Sequence, residues 1–115
     1  MVSKFFLKVG MVVLGLGIVG CSSDPPSVRI MNERTTKANV QLKVGTDNTI
    51  NINDVEGGKA SAYRDVSEGT FVATATIQNE SVSPTTTFNT EEDMNYTVVV
   101  VNSTPPTLRV DSEDK

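Results

Sequence analysis

The sequence predicts an all-β protein, a small antiparallel immunoglobulin-like β-sandwich of about seven or eight strands. After residue 20 the chain holds 14 Thr and 12 Val, which are β-branched and favour pleated, half-buried positions. Apolar and polar residues alternate over short segments, and turn residues separate these segments at close intervals. A small open β-barrel would show the same pattern and is the alternative.

The first half of this domain contains alternating segments divided by turns. We predict strands, in chain order, at residues 28–30, 38–45, 50–53 and 59–66. The last of them has the weakest alternation and is centred on Tyr63, which we expect to pack on or cap the core. The breaks at 45–48 and 56–58 contain Gly with Asp, Asn or Glu, which favour turns.

The second half gives strands at residues 70–79, 85–90, 96–101 and 108–110. Four consecutive valines at 98–101 indicate a strand with both faces covered, which is typical of the centre of a sheet. The sandwich domain is therefore predicted over residues 28–111, followed by a charged tail at 112–115.

Residues 1–20 have the pattern of a secretory signal peptide. Lys4 and Lys8 make a short positive region, and residues 9–20 then carry no charge. These 12 residues are too short to span a hydrocarbon layer about 30 Å thick at about 1.5 Å per residue.

The segment Ile18-Val19-Gly20-Cys21 resembles the lipobox of bacterial lipoproteins. The resemblance implies cleavage before Cys21 by a lipoprotein signal peptidase that recognises Ile18, Val19 and Gly20. It further implies a diacylglycerol on the Cys21 sulfur, with another acyl chain such as palmitate on the new amino group. Two or more chains hold a protein stably on a membrane. An ordinary secreted protein with a leftover Cys, or an uncleaved membrane segment, is the alternative interpretation.

Residues 21–27 read as the lipidated Cys and a Pro/Ser tether that keeps the domain near the headgroups. In bacteria with two membranes, an Asp directly after the lipidated Cys is a common signal for retention at the inner membrane. Because Ser22 and Ser23 precede Asp24, the resemblance favours the outer membrane or the cell surface.

Composition excludes several functions. The chain has no His, the commonest general base, and its single Cys cannot form an internal disulfide or a Cys-cluster metal site. The excess of 14 acidic over 10 basic side chains argues against nucleic-acid binding. Cleavage after residue 20 would leave 8 basic and 14 acidic side chains, which argues against docking of the domain surface on anionic lipid. We predict no cofactor.

Candidate sites for chemistry are few. Asp47, Asp54 and Glu56 form one acidic group and residues 91–93 another, but neither has the spacing of a calcium loop. We interpret both as solvated turns and predict no metal, with calcium binding as the alternative. Ser61 and Lys59 would lie on the same face of a strand and could form a Ser–Lys pair, but many pairs share a face in this way. We predict no catalytic residues.

The domain resembles domain-of-unknown-function family forty-three ninety-seven, found in bacterial envelope and secreted proteins. The resemblance runs from about Ser27 to about Asp111 and rests on patterns of moderate specificity. They are the Val28-Arg29 opening, the 38–45 strand with its Gly turn, the Tyr63…Gly69-Thr70-Phe71 spacing and the Tyr96-Thr97-Val98-Val99 strand. The chain departs from the family at residues 32–37, where the family has a Ser-Pro turn. The family implies no catalytic residues.

The sequence thus predicts a membrane-anchored cell-envelope lipoprotein that acts as a non-enzymatic binding or structural module. Its expected partners are the membrane, through lipid on Cys21, and an envelope protein or polymer. One alternative is a subunit of a surface assembly that uses β-strand edge pairing. A second alternative is an accessory domain of an envelope enzyme system.

Overall fold

The computed structural model of the protein describes residues 23–115. Ile18, Val19, Gly20 and Cys21 lie outside the described residues. Within them the chain forms eight strands: β1 (Ser27–Asn32), β2 (Ala38–Val44), β3 (Asn48–Val55), β4 (Arg64–Asp65), β5 (Gly69–Ile77), β6 (Thr85–Thr90), β7 (Met94–Val101) and β8 (Thr107–Asp114). This part of the chain contains no helix that is long and apolar enough to cross a membrane.

The strands form two four-stranded sheets, ordered β4-β1-β7-β8 and β3-β2-β5-β6. All neighbours are antiparallel except β1 and β7, which run parallel. The predicted β-sandwich is confirmed, and the sheets do not close into a barrel. Hairpin partners β2 and β3 lie in one sheet, whereas an immunoglobulin constant domain places its second and third strands in opposite sheets.

The core lies between the sheets, because the apolar residues of each alternating strand point inward and the polar residues point outward. Val40 and Leu42 of β2 point inward and are fully buried, while Gln41 between them is exposed. Phe71 of β5 stacks on Phe88 at a ring-centroid distance of 5.7 Å. Burying each such side chain stabilises the fold by about 1.5–3 kcal/mol.

The valine run of β7 lies in the centre of its sheet, as predicted. Val98 and Val100 are completely buried in the core. Val99 faces the other way and is only 2% exposed, flanked in register by Met31 of β1 and Arg109 of β8. Both faces of this strand are therefore covered.

Two segments differ from the expectation. Only Arg64 and Asp65 of the predicted 59–66 strand pair as a strand, because Ser61 instead attaches the segment to β1 through a backbone bond to the Ile30 carbonyl. The prediction that Tyr63 packs on the core is wrong, since its side chain is 39% exposed and lies under the Arg29 guanidinium.

The last strand is longer than the apolar pattern indicates. β8 continues through the acidic residues to Asp114, which pairs with Met94. The residues at 112–114, assigned to a tail from sequence, therefore belong to the sheet. An edge strand needs only a neighbouring backbone and can carry charged side chains.

Candidate functional site

The first described residues are fastened to one end of the sandwich. The Asp24 amide donates to Asp93 Oδ1 at 2.8 Å, and the Asp93 amide donates to the Asp24 carbonyl at 3.0 Å. Lys115 Nζ donates to the Pro25 carbonyl at 2.7 Å, and its amide donates to the Asp93 carbonyl. We call this group, formed by Asp24, Pro25, Asp93 and Lys115, the N-terminal clamp.

The clamp shortens the tether expected from the sequence. Pro26 is fully buried, and its carbonyl accepts from the Val66 amide at 2.8 Å. Ser27 is already the first residue of β1. If the chain is cleaved before Cys21 as the sequence predicts, Cys21, Ser22 and Ser23 would precede the clamp, and three residues reach at most about 10 Å.

The first acidic group is divided between the two ends of β3. Asp47 lies in the β2–β3 turn, whereas Asp54 and Glu56 lie at the far end of the eight-residue strand, about 25 Å along. Asp54 occupies a bulge with a φ of 58°, and its amide donates to Asn39 Oδ1. Residues 23–115 contain no group of three His, Cys, Asp or Glu side chains positioned for a metal ion.

The second acidic group, at the β6–β7 turn, makes structural contacts. The Glu91 amide donates to the Tyr96 hydroxyl at 2.8 Å, and the Glu92 amide donates to Glu68 at 3.2 Å. Asp93 belongs to the N-terminal clamp. Tyr96 is buried beside Phe88.

The hydroxyl of Ser61 is engaged in the structure. It accepts from the Ile30 amide at 2.9 Å and donates to the Ala62 carbonyl at 3.1 Å. A nucleophilic hydroxyl needs a base within hydrogen-bonding reach. The bond from the Ile30 amide instead attaches the 59–63 segment to the edge of β1.

One outer surface of the sandwich is almost free of charge. We call it the neutral face; it consists of the outward side chains of β3, β2, β5 and β6, and its charged members within the described strands are Lys43 and, at the β3 bulge, Asp54. The others are Asn39, Gln41, Thr49, Asn51, Asn53, Thr70, Val72, Thr74, Thr76, Thr85, Thr87 and Asn89.

A shallow cavity of about 170 Å³ lies on the neutral face, lined by Asn39, Gln41, Asn51, Asn53, Thr74 and Thr76. Amide groups both donate and accept hydrogen bonds, so this lining suits an uncharged polar partner. A second cavity of about 470 Å³ lies near the clamp between β3 and β4, where Asp47 and Asp65 are among its walls.

The opposite outer surface is charged and internally paired. Arg29 stacks on the Tyr63 ring at 4.8 Å, and its Nε donates to the Thr97 hydroxyl. Arg109 donates to both carboxylate oxygens of Asp111 at 3.0 and 3.2 Å. This hydrogen bonding, with the charge of Asp111, raises the pKa of Arg109 above its ordinary value.

The edges of the two sheets are protected to different degrees. β8 carries four charged residues, Arg109, Asp111, Glu113 and Asp114, and β4 is two residues long. β3 has the bulge at Asp54, and Arg64 Nη1 donates to the Asn51 carbonyl on its outward side at 3.3 Å. β6 has neither a charged residue nor a bulge.

Two polar residues at the end of the sandwich away from the clamp were missed by sequence reasoning. Asn32 is fully buried, and its Nδ2 donates to the Thr36 and Val55 carbonyls. Arg34 donates to the Val101 and Ser103 carbonyls and to Glu80 at 2.9 Å. The sequence does contain one signal for this site: Asn32 is a polar residue at an inward position of β1, two residues after Ile30.

No family model matches the chain, and no curated protein matches it. The fold defines the class of protein as a two-sheet β-sandwich. Its distinguishing features are the clamp, the neutral face and the unprotected β6 edge.

Proposed function

We propose that this protein is a lipid-anchored cell-envelope lipoprotein whose sandwich serves as a non-enzymatic binding or structural module. The observation that carries the proposal is the lipobox Ile18-Val19-Gly20-Cys21, which ends three residues before the clamped Asp24. A signal segment, an attachment point and a folded domain follow one another in the order that such a protein requires.

The clamp gives the anchoring a geometric consequence. Lipid on Cys21 would hold the clamped end of the sandwich within about 10 Å of the headgroups. Glu91, Glu92 and Asp93 lie at that end, so anionic headgroups would repel it. The lipid therefore supplies the attachment, and the outer membrane or cell surface is the proposed location.

The neutral face supports a binding role. The chain carries 24 charged side chains in 115 residues, yet within the described strands this surface has two, Lys43 and Asp54. Its amides and hydroxyls suit an uncharged polar envelope protein or polymer. The resemblance to family forty-three ninety-seven belongs to this proposal too, although it assigns no residue a role.

The anchor is tested by intact mass and membrane fractionation of two single-residue variants. Wild type and Ser22→Ala should start at Cys21, carry added lipid mass and sediment with membranes. Cys21→Ser should lack the lipid and lose membrane attachment. A Cys21→Ser protein that stays on the membrane, or a wild type that starts at Met1, would contradict the proposal.

A second candidate function, a subunit of a surface assembly, is favoured by one specific observation. The β6 edge is unprotected, whereas the other three edge strands of the described domain are short, bulged or charged. Unprotected edges add further strands readily.

A further inference from the structure

Within residues 23–115, β6 pairs only with β5, so its other edge exposes backbone hydrogen-bonding groups to solvent. The Ala75 amide donates to the Pro84 carbonyl, which fixes the phase of the β5–β6 ladder. In an antiparallel ladder alternate residues point their N–H and C=O groups toward the neighbour. The backbone N–H and C=O groups of Thr86, Phe88 and Thr90 therefore point toward β5. The backbone groups of Thr85, Thr87 and Asn89 point outward, away from the sheet.

We propose that β6 pairs antiparallel with β6 of a second copy of this chain, on a two-fold axis at Thr87. The two β3-β2-β5-β6 sheets would then form one continuous sheet with an extended neutral face. This deepens the assembly candidate above and rests on it, but it does not depend on the lipid anchor.

The two-fold register gives every outward backbone N–H and C=O group of β6 a hydrogen-bond partner. Thr87 lies opposite Thr87 of the second copy, and Thr85 lies opposite Asn89 of the second copy. All six outward N–H and C=O groups of each strand then find partners, because these residues form the hydrogen-bonded pairs of the new ladder. Paired groups replace a row of unpaired ones, which is the liability of an exposed edge.

The side chains favour a second copy as the occupant. β6 carries no charge, so no like charges stand opposite each other within the new ladder. On the inner side Phe88 is half-buried, and the register places it opposite Thr86 of the second copy. By contrast, a strand laid along β8 would meet four charged residues within eight positions.

Antiparallel pairing also constrains how the copies lie on a membrane. The clamp lies beyond the end of β6, next to the β6–β7 turn. The two clamps therefore lie at opposite ends of the paired strands. Two copies anchored in one membrane would lie with these strands along the membrane surface.

A thiol at the two-fold axis tests the register in the full chain. Opposed residues of a hydrogen-bonded pair have Cα atoms about 5.5 Å apart, within disulfide range. Thr87→Cys should give a dimer of twice the subunit mass on mild oxidation of membranes. Thr85→Cys, on the same face of the same strand, should not, because its thiols would be about 13 Å apart. Co-expressed Thr85→Cys and Asn89→Cys chains should cross-link to each other.

The controls separate this proposal from the anchor. The wild-type protein shows whether Cys21 has a free thiol, because a wild-type disulfide dimer would contradict lipidation. In that case the cross-linking experiments would be repeated with the Cys variants in a Cys21→Ser background. A monomeric Thr87→Cys protein, equal cross-linking at positions 85 and 87, or an adduct with a different protein would overturn the second copy as the occupant.

Lysine substitutions give an independent measurement. Thr87→Lys would place two ammonium groups together at the two-fold axis and should abolish the dimer in native mass spectra of the detergent-extracted protein. Thr76→Lys, exposed on the same face but on the interior strand β5, should retain it. A dimer that survives Thr87→Lys would count against this edge.

Discussion

The two sheets of the sandwich share one core but differ on their outward sides. In the β4-β1-β7-β8 sheet, Arg29 and Arg109 are held by neighbouring side chains, and one edge is charged while the other is two residues long. The β3-β2-β5-β6 sheet presents amides, hydroxyls and the uncharged β6 edge. The first sheet also receives the clamped N-terminus, since β1 begins directly after Pro26.

The difference indicates a division of roles. Charged edges resist the addition of strands. The charged sheet is thus suited to face solvent beside the proposed anchor, whereas the neutral sheet is suited to contact a partner. The variants below test whether the sheets differ in this way, and they are ordered by the size of the expected effect on folding.

The largest effect is expected where the sheets are joined. Asn32 of the charged sheet donates to the Val55 carbonyl of the neutral sheet at 3.0 Å and accepts from the Arg34 amide. Asn32→Ala leaves buried groups unpaired and should lower the free energy of unfolding by about 2–4 kcal/mol. Urea unfolding measures this. Asn95→Ala, on a half-buried residue of β7, should cost under about 0.5 kcal/mol, and equal losses would contradict the role of Asn32.

A smaller effect is expected at the clamp. Asp93 has a φ of 62° and accepts the Asp24 amide, so Asp93→Ala should cost about 1–2 kcal/mol. It should also speed hydrogen exchange at Asp24. Asp93→Asn keeps an acceptor oxygen and tolerates this conformation, so it should remain near wild type. Unchanged exchange at Asp24 in Asp93→Ala would show that the clamp does not hold the N-terminus.

The exposed ion pair of the charged sheet should contribute least among its contacts. Arg109→Ala removes the bonds to Asp111 and the 3.7 Å contact with Glu33. Pairs this exposed contribute little to stability and are screened by salt. The loss in urea unfolding should therefore shrink as salt is raised, and a salt-independent loss would point to packing instead.

On the neutral sheet, Thr87→Lys should leave the unfolding of the monomer within about 0.5 kcal/mol of wild type. Its effect should fall on association alone. A large loss of monomer stability would instead make β6 a structural edge and weaken the contrast between the sheets.

The strands with strong periodicity could be predicted from the sequence. β2, β5 and β7 follow directly from alternation or from the valine run, because the side-chain period of a strand is two. The parallel pairing of β1 with β7 could not be predicted, since no local pattern encodes which distant strand is the neighbour. The shortening at 59–63 depends on Ser61 bonding to Ile30, a contact between segments 31 residues apart.

The candidate sites divide in the same way. The lipobox is a local pattern and is visible in the sequence. The clamp joins Asp24, Asp93 and Lys115, which only the fold brings together. The neutral face is an intermediate case: each strand shows its polar positions, but the common surface requires the order β3-β2-β5-β6.

Residue-resolved hydrogen exchange on the full-length protein extracted from membranes tests the central proposal, that the neutral sheet supplies the contact edge. It compares dilute monomer in detergent with protein at native density in membranes. The amides of Thr85, Thr87 and Asn89 should become protected in the membrane, while the outward amides of β8 stay unchanged. Protection of β8 with no change in β6 would contradict the account.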